Sequence, residues 1–228
     1  MSMKSRVATV PSDDEKKRAL AVLHTLREEF PGAKTALGHE NPFQLLVATI
    51  LSAQCTDERV NMVTPGLFTK YPDAGSFAAL SNPVLEEEIR STGFFRMKAR
   101  SIIGCSKALV ERHGGRVPET MNELVELPGV GRKTANVVLG QAFGIPSGVV
   151  VDTHVHRLSQ RLGFSPHNSP EKVEEDLMAL FPREDWIDVG SILILHGRKT
   201  CPARKPKCAS CSVRQLCPSA DSFLSSSS

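Results

Sequence analysis

The sequence predicts an all-α fold of about ten helices. Apolar residues recur at the three- and four-residue spacing of a buried helix face, as in the run from Ala19 to Phe30. Helix-start signals precede several such runs; Asn41 followed by Pro42 is a clear one. The best strand candidate, 149–151, is too short to support a sheet. These observations favour helices packed on helices.

Caps, prolines and glycines place the individual helices. The first predicted helix starts at Asp13, which supplies negative charge to its first turn, and Pro31 with Gly32 ends it. The second runs from Asn41 to Leu51 and is apolar nearly all round, which predicts a central buried helix. The later predicted helices follow Thr56, Asn82–Pro83, Gly93–Arg96, Thr120, Gly131, Asp152 and Ser169–Pro170, and one more lies near Val189–Leu195.

The stretch Leu127–Asn136 joins two short helical patterns. Gly129 and Gly131 flank one apolar residue, so we expect the backbone to turn tightly with positive φ before a helix begins near Arg132. Bare N–H groups and the positive end of the helix dipole would then form a phosphate site. This is the helix-hairpin-helix pattern, here at about residues 120–143, which grips the backbone of duplex DNA.

A Gly-x-Gly turn also ends helices that bind no ligand, and it occurs in nucleotide-binding loops. A helical corner with no ligand is the main competitor here. The preceding segment carries a capping-box pattern, Thr120 with Glu123, which predicts a helix and argues against the strand of a Rossmann loop. The Gly131–Thr134 run also lacks the first glycine of a P-loop.

Composition limits the remaining possibilities. The net charge is only +3, yet residues 191–220 contain six Lys and Arg residues and no Asp or Glu, which favours a polyanionic partner. With one Trp, one Tyr and ten Phe, duplex binding is favoured over stacking of many unpaired bases. Because long apolar runs and a signal-peptide pattern are missing, we expect an intracellular protein. Residues 1–12 and 219–228 are expected to be flexible tails.

Four of the six cysteines crowd together near the C-terminus. Cys201, Cys208, Cys211 and Cys217 follow the spacing C-x6-C-x2-C-x5-C, which indicates a soft metal centre. Zinc remains an alternative, but a single C-x2-C with two separate flanking ligands is nearer to a chain that encircles a four-iron cluster. The other two thiols, Cys55 and Cys105, are interpreted as ordinary buried residues.

The loop between the first two of these cysteines is strongly basic. Arg204, Lys205 and Lys207 lie in it together with two prolines that limit its freedom. If the metal stiffens this loop, its three cations form a preorganised phosphate clamp; without a metal they could be a solvated tail. We therefore expect the centre to fix a DNA-binding loop rather than to perform redox chemistry.

Two residues are candidates for chemistry. Lys133 lies in the first turn of the second hairpin helix, where it is either a surface contact to phosphate or an amine that attacks an electrophilic carbon. Asp152 follows an apolar run, where it is either a plain helix cap or a carboxylate that stabilises a developing positive charge. His154 and His156 are two apart on a helix and face different ways, so we interpret them as structural or backbone-contacting residues rather than as a metal pair.

Taken together, Leu127–Asn136, Val151–His154, Leu195–Gly197 and the cysteine spacing resemble the endonuclease III family of the helix-hairpin-helix DNA glycosylase superfamily. The resemblance covers roughly residues 15–217. It implies a bifunctional DNA glycosylase and abasic-site lyase that excises oxidised pyrimidines from duplex DNA and carries one [4Fe-4S] cluster. By the same resemblance, Lys133 attacks the sugar C1′ and Asp152 assists the attack.

The resemblance also implies further site residues and a domain layout. Gln54 matches the residue that fills the space left by a flipped base, and Phe94 stands where the family commonly has an aliphatic wedge. Cys55 replaces the small residue expected after Gln54. The implied layout is a helical barrel over about 35–145 and a cluster domain made of 13–34 and 146–217. The protein is expected to act as a monomer, in the cytoplasm or nucleoid if it is bacterial.

Three alternatives remain open. An adenine-excising relative shares the hairpin, the aspartate and the cluster, but it does not keep a lysine at the position of Lys133 and usually adds a C-terminal domain. A non-catalytic DNA-binding module needs only the hairpin and the basic loop, which would make the presence of Lys133 and Asp152 a coincidence. A zinc-stabilised nucleic-acid protein would differ in its visible absorption.

Overall fold

The computed structural model describes residues 10–225, and all regular secondary structure in that range is helical, which confirms the predicted fold class. The described chain forms twelve α-helices rather than about ten. They are α1 (Asp13–Glu29), α2 (Pro42–Leu51), α3 (Asp57–Lys70), α4 (Ala74–Ala78), α5 (Asn82–Glu88), α6 (Phe95–His113), α7 (Met121–Val125), α8 (Arg132–Phe143), α9 (Thr153–Arg161), α10 (Pro170–Leu180), α11 (Trp186–Lys199) and α12 (Ala220–Ser225). Four short 3₁₀ helices lie at Arg90–Thr92, Arg183–Asp185, Cys208–Ser210 and Arg214–Leu216.

The helices form two compact units, and Thr35–Ser147 is one of them. Its centre is α2, in which every residue from Phe43 to Leu51 is buried, as the apolar sequence of this helix predicts. Asn41 caps the helix, because its side-chain oxygen accepts the N–H of Gln44 at 2.9 Å. Helix α2 packs against α3, α6 and α8, so the hairpin helix α8 is held by the core of this unit.

The second unit contains the described residues up to Lys34 and those from Gly148 onward. Its core is built from α1, α9, α10 and α11. Helices α9 and α11 approach closely at Gly197, where an added Cβ would lie 3.0 Å from the Cβ of His154 and 3.1 Å from Nη2 of Arg157. Glycine is therefore the residue that lets these two helices meet.

The prediction of a flexible C-terminal tail is wrong for the segment Ala220–Ser225, which forms α12. Ala220 is only 4% exposed, and the guanidinium of Arg161 lies 4.6 Å from the centre of the Phe223 ring. One aromatic contact and one buried alanine thus order a segment whose serine content suggested disorder. Positions 1–9 and 226–228 of the predicted tails lie outside the described residues.

The predicted N-terminal tail also extends too far. Ser12 is the N-cap of α1 and forms a complete capping box with Glu15: its hydroxyl accepts the Glu15 N–H at 3.3 Å, and the carboxylate accepts the Ser12 N–H at 2.8 Å. Helix α4 was missed because its five residues are too few to show a helical period. No helix in the described part of the chain combines the length and apolarity that a membrane span requires.

Candidate functional site

The predicted helix-hairpin-helix is formed by α7, a turn, and α8. Gly129 has a φ of +78°, and a Cβ added there would lie 2.5 Å from the Cβ of Ser101 on α6. Glycine is needed at position 129 because of the positive φ and because a Cβ would clash with Ser101. The expected tight turn with positive φ is therefore present at Gly129, whereas Gly131 has a φ of −95° and a ψ of 174°. Gly131 is instead the N-cap of α8, where the backbone is extended and not left-handed.

The start of α8 has the features of an anion site. Its N-cap has no side chain, so no side chain caps the first N–H groups of the helix. The first turn contains Arg132 and Lys133 and no carboxylate, and both cations are exposed. Further along the helix, Ala135 and Val138 are fully buried and hold it against the core. A rigid helix therefore presents its positive end and an exposed amine to solvent.

Asp152 is the N-cap of α9 and is half-buried. Its Oδ1 accepts the N–H groups of both His154 and Val155, each at 2.8 Å. Because one oxygen takes both bonds, the cap does not engage the other oxygen of the carboxylate. The helix-cap interpretation of Asp152 is thus confirmed, and the cap fixes the side chain in one orientation.

The turns that carry Gln54 and Phe94 have unusual backbones. Gln54 follows α2 with a φ of 51°, and Phe94 precedes α6 with a φ of 47°. Both are exposed, Phe94 to 58%. Only one other non-glycine residue in the described range has a positive φ, and it is Lys205. Left-handed backbone at non-glycine residues persists where surrounding structure imposes it, and it is concentrated at functional positions.

All four C-terminal cysteines line one cavity. Apolar residues that include Leu158, Leu162 and Val213 form much of its wall. In the range that the structure describes, no three Cys, His, Asp or Glu side chains are placed to hold a metal ion between them. The cysteines are therefore gathered around a shared space rather than at one point.

The thiols of this cavity affect one another. Burial raises the pKa of Cys208, Cys211 and Cys217, and the charge of neighbouring thiolates, that of Cys201 among them, also raises it. Together with Cys201, these three thiols form a set of sulfur donors in one apolar cavity, which a bound cation would stabilise in the thiolate form. Zinc and an iron–sulfur cluster both take such donors.

Two residues beside the cysteines were missed by the sequence analysis. Arg161 of α9 donates from Nη1 to Sγ of Cys201 at 3.2 Å and to the carbonyl of Pro202 at 2.8 Å. His196 of α11 is 2% exposed, and its Nε2 lies 3.7 Å from Sγ of Cys211. Arg161 comes from a helix 40 residues before Cys201, so no local spacing could have indicated it, whereas His196 lies five residues before Cys201, within the stretch 195–197 that the family resemblance includes.

The basic loop between Cys201 and Cys208 is closed at its base by a hydrogen bond from the Lys207 N–H to the Thr200 carbonyl at 2.9 Å. A second bond from Arg161, to the carbonyl of Ala203 at 2.9 Å, fixes its first half. Arg204, Lys205 and Lys207 are all exposed. The loop therefore presents three cations to solvent.

The remaining sequence interpretations have mixed outcomes. Nδ1 of His154 lies 3.3 Å from Nη2 of Arg157, and Nε2 of His156 lies 2.9 Å from the carbonyl of Asn168, so both histidines have structural partners as expected. Cys105 is 2% exposed, and burial raises its pKa to about 12, which confirms it as an inert buried thiol. Cys55 is only partly buried, contrary to expectation, because it lies in the exposed turn after α2.

Comparison with known proteins places the chain among DNA repair enzymes. Residues 47–183 match the model of the HhH-GPD superfamily of base excision DNA repair proteins. The chain is 55% identical over 206 residues to endonuclease III of Synechocystis sp., covering 90% of this chain and 94% of the relative. It is 46% identical over 205 residues to endonuclease III of Escherichia coli K12, covering 89% and 95% respectively.

Solved structures give the same result. A trapped endonuclease III–DNA covalent intermediate superposes with a TM-score of 0.87 at 44% identity, covering 92% of this chain and 98% of that one. A non-covalent endonuclease III–DNA complex matches equally well. A thermostable thymine-DNA glycosylase, at 23% identity and a TM-score of 0.81, shares the fold.

Proposed function

The chain belongs to the endonuclease III family of the HhH-GPD superfamily, and from this we propose how its residues perform base excision repair. Membership makes the protein a DNA glycosylase and abasic-site lyase. The observation that carries our proposal is the exposed amine of Lys133 in the first turn of an uncapped hairpin helix. A phosphate bound at this helix end brings the sugar of the same strand towards the amine.

In the proposed reaction, Nζ of Lys133 attacks C1′ of the damaged nucleotide. The new N–C1′ bond forms as the bond from C1′ to the base nitrogen breaks, and the bonding electrons leave with the base. Loss of a proton from the nitrogen and opening of the sugar ring give a Schiff base. Removal of a C2′ proton then expels the 3′ phosphate, which cleaves the strand by β-elimination.

Asp152 supplies the second catalytic group. The sugar acquires positive charge as the base departs, and a carboxylate held in one orientation stabilises that charge. The backbone bonds that hold Oδ1 leave the other oxygen of Asp152 for this role. The same carboxylate can accept protons released in the attack.

DNA is held by three groups of residues in this proposal. Gly129, Gly131 and Arg132 offer backbone N–H groups and a cation to phosphate. The basic loop with Arg204, Lys205 and Lys207 offers three more cations. Gln54 and Phe94 enter the duplex, where Gln54 bonds to the orphaned base and the ring of Phe94 stacks in the gap left by the flipped nucleotide.

We further propose that the four cysteines hold one [4Fe-4S] cluster. The shared apolar cavity fits such a group, since its thiols are arranged around a space, and the N–H···S bond from Arg161 is typical of cluster surroundings. When bound, the cluster would join Cys201, Cys208, Cys211 and Cys217 through covalent links, which would hold the two ends of the basic loop and the segment 208–217 together. Its role in this account is structural, and zinc is the alternative that absorption near about 400 nm and metal analysis distinguish.

The proposed substrate is duplex DNA that contains an oxidised pyrimidine or an abasic site. We propose that the protein acts on it as a monomer. The bacterial relatives and the DNA substrate support a location in the cytoplasm, at the nucleoid. A panel of duplexes, each with one lesion, tests the proposal directly. We expect base release and nicking with oxidised pyrimidines and nicking with abasic sites. Excision confined to adenine or alkylated purines would contradict it.

A further inference from the structure

A lysine that the proposed chemistry does not use is buried in the Thr35–Ser147 unit. Lys98 is on α6, and only 3% of it is exposed. Its ammonium donates to the carbonyl of Leu51 and to the carbonyl of Thr92, each at 2.8 Å. Burial lowers the pKa of Lys98, so the protein gives up solvation of a cation to keep this arrangement.

The two carbonyls belong to helix ends. Leu51 is the last residue of α2, and Thr92 is the last residue of the 3₁₀ helix Arg90–Thr92. Carbonyls at a helix C-terminus lack partners within the helix and carry partial negative charge. One ammonium therefore satisfies two helix ends that lie far apart in the sequence and joins them through a single nitrogen atom.

Each of these helix ends leads directly into a turn with a left-handed residue. Gln54 comes three residues after Leu51, and Phe94 comes two residues after Thr92. Their φ angles are 51° and 47°. A non-glycine residue takes such a backbone only when the surrounding structure imposes it. Lys98 therefore donates hydrogen bonds to the two residues, Leu51 and Thr92, that lead into these turns.

We propose that Lys98 is a positioning residue for DNA strand opening. Its ammonium fixes the origins of the two turns relative to each other, so that Gln54 and Phe94 are presented together to the duplex. This inference rests on the proposed function, in which these two side chains enter the gap left by a flipped nucleotide. Lys98 itself is buried and touches neither DNA nor the reacting atoms.

Lys98→Met tests this role because it keeps the length and the apolar stem of the side chain but removes the donors. The matched control is Lys107→Met, an exposed lysine on the same helix. Single-turnover excision is measured for one oxidised pyrimidine in a fully paired duplex and in an unpaired bubble. We expect Lys98→Met to slow excision from the paired duplex by about tenfold or more and from the bubble by less than about threefold. Lys107→Met should leave both rates unchanged.

A double-mutant cycle separates positioning from general loosening of the fold. Phe94→Ala alone should also slow excision mainly from the paired duplex. If Lys98 acts through the turns, Lys98→Met should add much less than its own factor in the Phe94→Ala background. Fully multiplicative losses, or equal losses on paired and bubble substrates, would overturn the proposal.

Two further outcomes need their own comparison: a Lys98→Met protein that does not fold, and a wild type that does not excise. If Lys98→Met shows no cooperative thermal unfolding, Lys98→Arg is compared on the same substrates, since it keeps the charge and donors but displaces both carbonyls. A loss with Lys98→Arg confined to the paired substrate supports the proposal, and equal losses or none overturn it. The wild type is assayed first. Failure to excise from either substrate contradicts the proposed function, whereas normal wild-type excision with no selective loss contradicts only the role of Lys98.

Discussion

The hairpin and the cysteine segment 201–217 both present cations to solvent, but they are held in different ways. The hairpin helix α8 is anchored by fully buried residues such as Ala135, Val138 and Leu139. The cysteine segment contains two short 3₁₀ helices and, among its seventeen residues, only Val213 is buried. The hairpin is therefore held by the buried core, whereas the cysteine segment is held by hydrogen bonds, such as those from Arg161, and in our proposal also by the metal centre that its thiols bind.

The largest expected effect is on the cysteine segment 201–217 and leaves the hairpin intact. Cys211→Ser removes one sulfur donor from the cavity, and we expect loss of the bound metal centre, of its visible absorption and of most duplex affinity. Cys55→Ser is the matched control, because Cys55 is a partly exposed cysteine outside the cavity, and it should keep full colour. Metal analysis, absorbance and binding to undamaged duplex provide the measurements. Full duplex affinity in a colourless Cys211→Ser protein would show that the loop needs no metal.

The hairpin, in contrast, should be destabilised by a steric clash in its turn. Gly129→Ala forces a Cβ against Ser101 at a positive φ, so we expect a loss of about 2–4 kcal/mol in the free energy of unfolding and weaker binding to all duplexes. Gly131→Ala provides the control, since its φ is −95° and nothing lies within 4 Å of an added Cβ.

For Gly131→Ala the expected loss is at most about 1 kcal/mol, because alanine is a poorer N-cap residue than glycine. Denaturant unfolding measures both variants. Equal stability of the two would mean that the turn relaxes and that glycine is not required at position 129.

The smallest expected effect concerns individual cations of the loop. Lys205→Ala should weaken binding to damaged and undamaged duplexes alike and make the dependence of log K on log salt shallower by about 0.9. Lys107→Ala, on α6, should change neither the duplex affinity nor its salt dependence. Titrations over a series of salt concentrations measure the slope. A loss confined to damaged DNA would mean that the loop reads the lesion rather than the backbone.

Local signals in the sequence predicted much of the fold. Asn41 with Pro42, Thr56 and Asp152 each cap a helix as predicted, because a cap depends on neighbours within three residues. The spacing of the four cysteines also indicated that they lie together, and they line one cavity. Helix α4 escaped detection because five residues show no period.

What the sequence could not reveal depends on contacts between distant residues. Lys98 bonds to a carbonyl 47 positions away, and nothing beside it in the chain marks it as buried. The sequence predicted a tight turn at Gly129 and Gly131, but it could not show that only Gly129 has a positive φ and is pressed against α6. Residues that act through tertiary packing therefore require the structure, whereas caps and ligand spacings do not.

The central claim is that the hairpin amine of Lys133 forms a covalent bond to the sugar. Lys133→Gln keeps a hydrogen-bonding side chain but has no nucleophilic amine, so it should still bind damaged duplex. Borohydride reduction of a Schiff base leaves a stable cross-link that a denaturing gel and peptide mass mapping detect. We predict that the wild type is trapped at Lys133 and that folded Lys133→Gln is not. A wild-type yield of cross-link with Lys133→Gln would place the nucleophile on another amine.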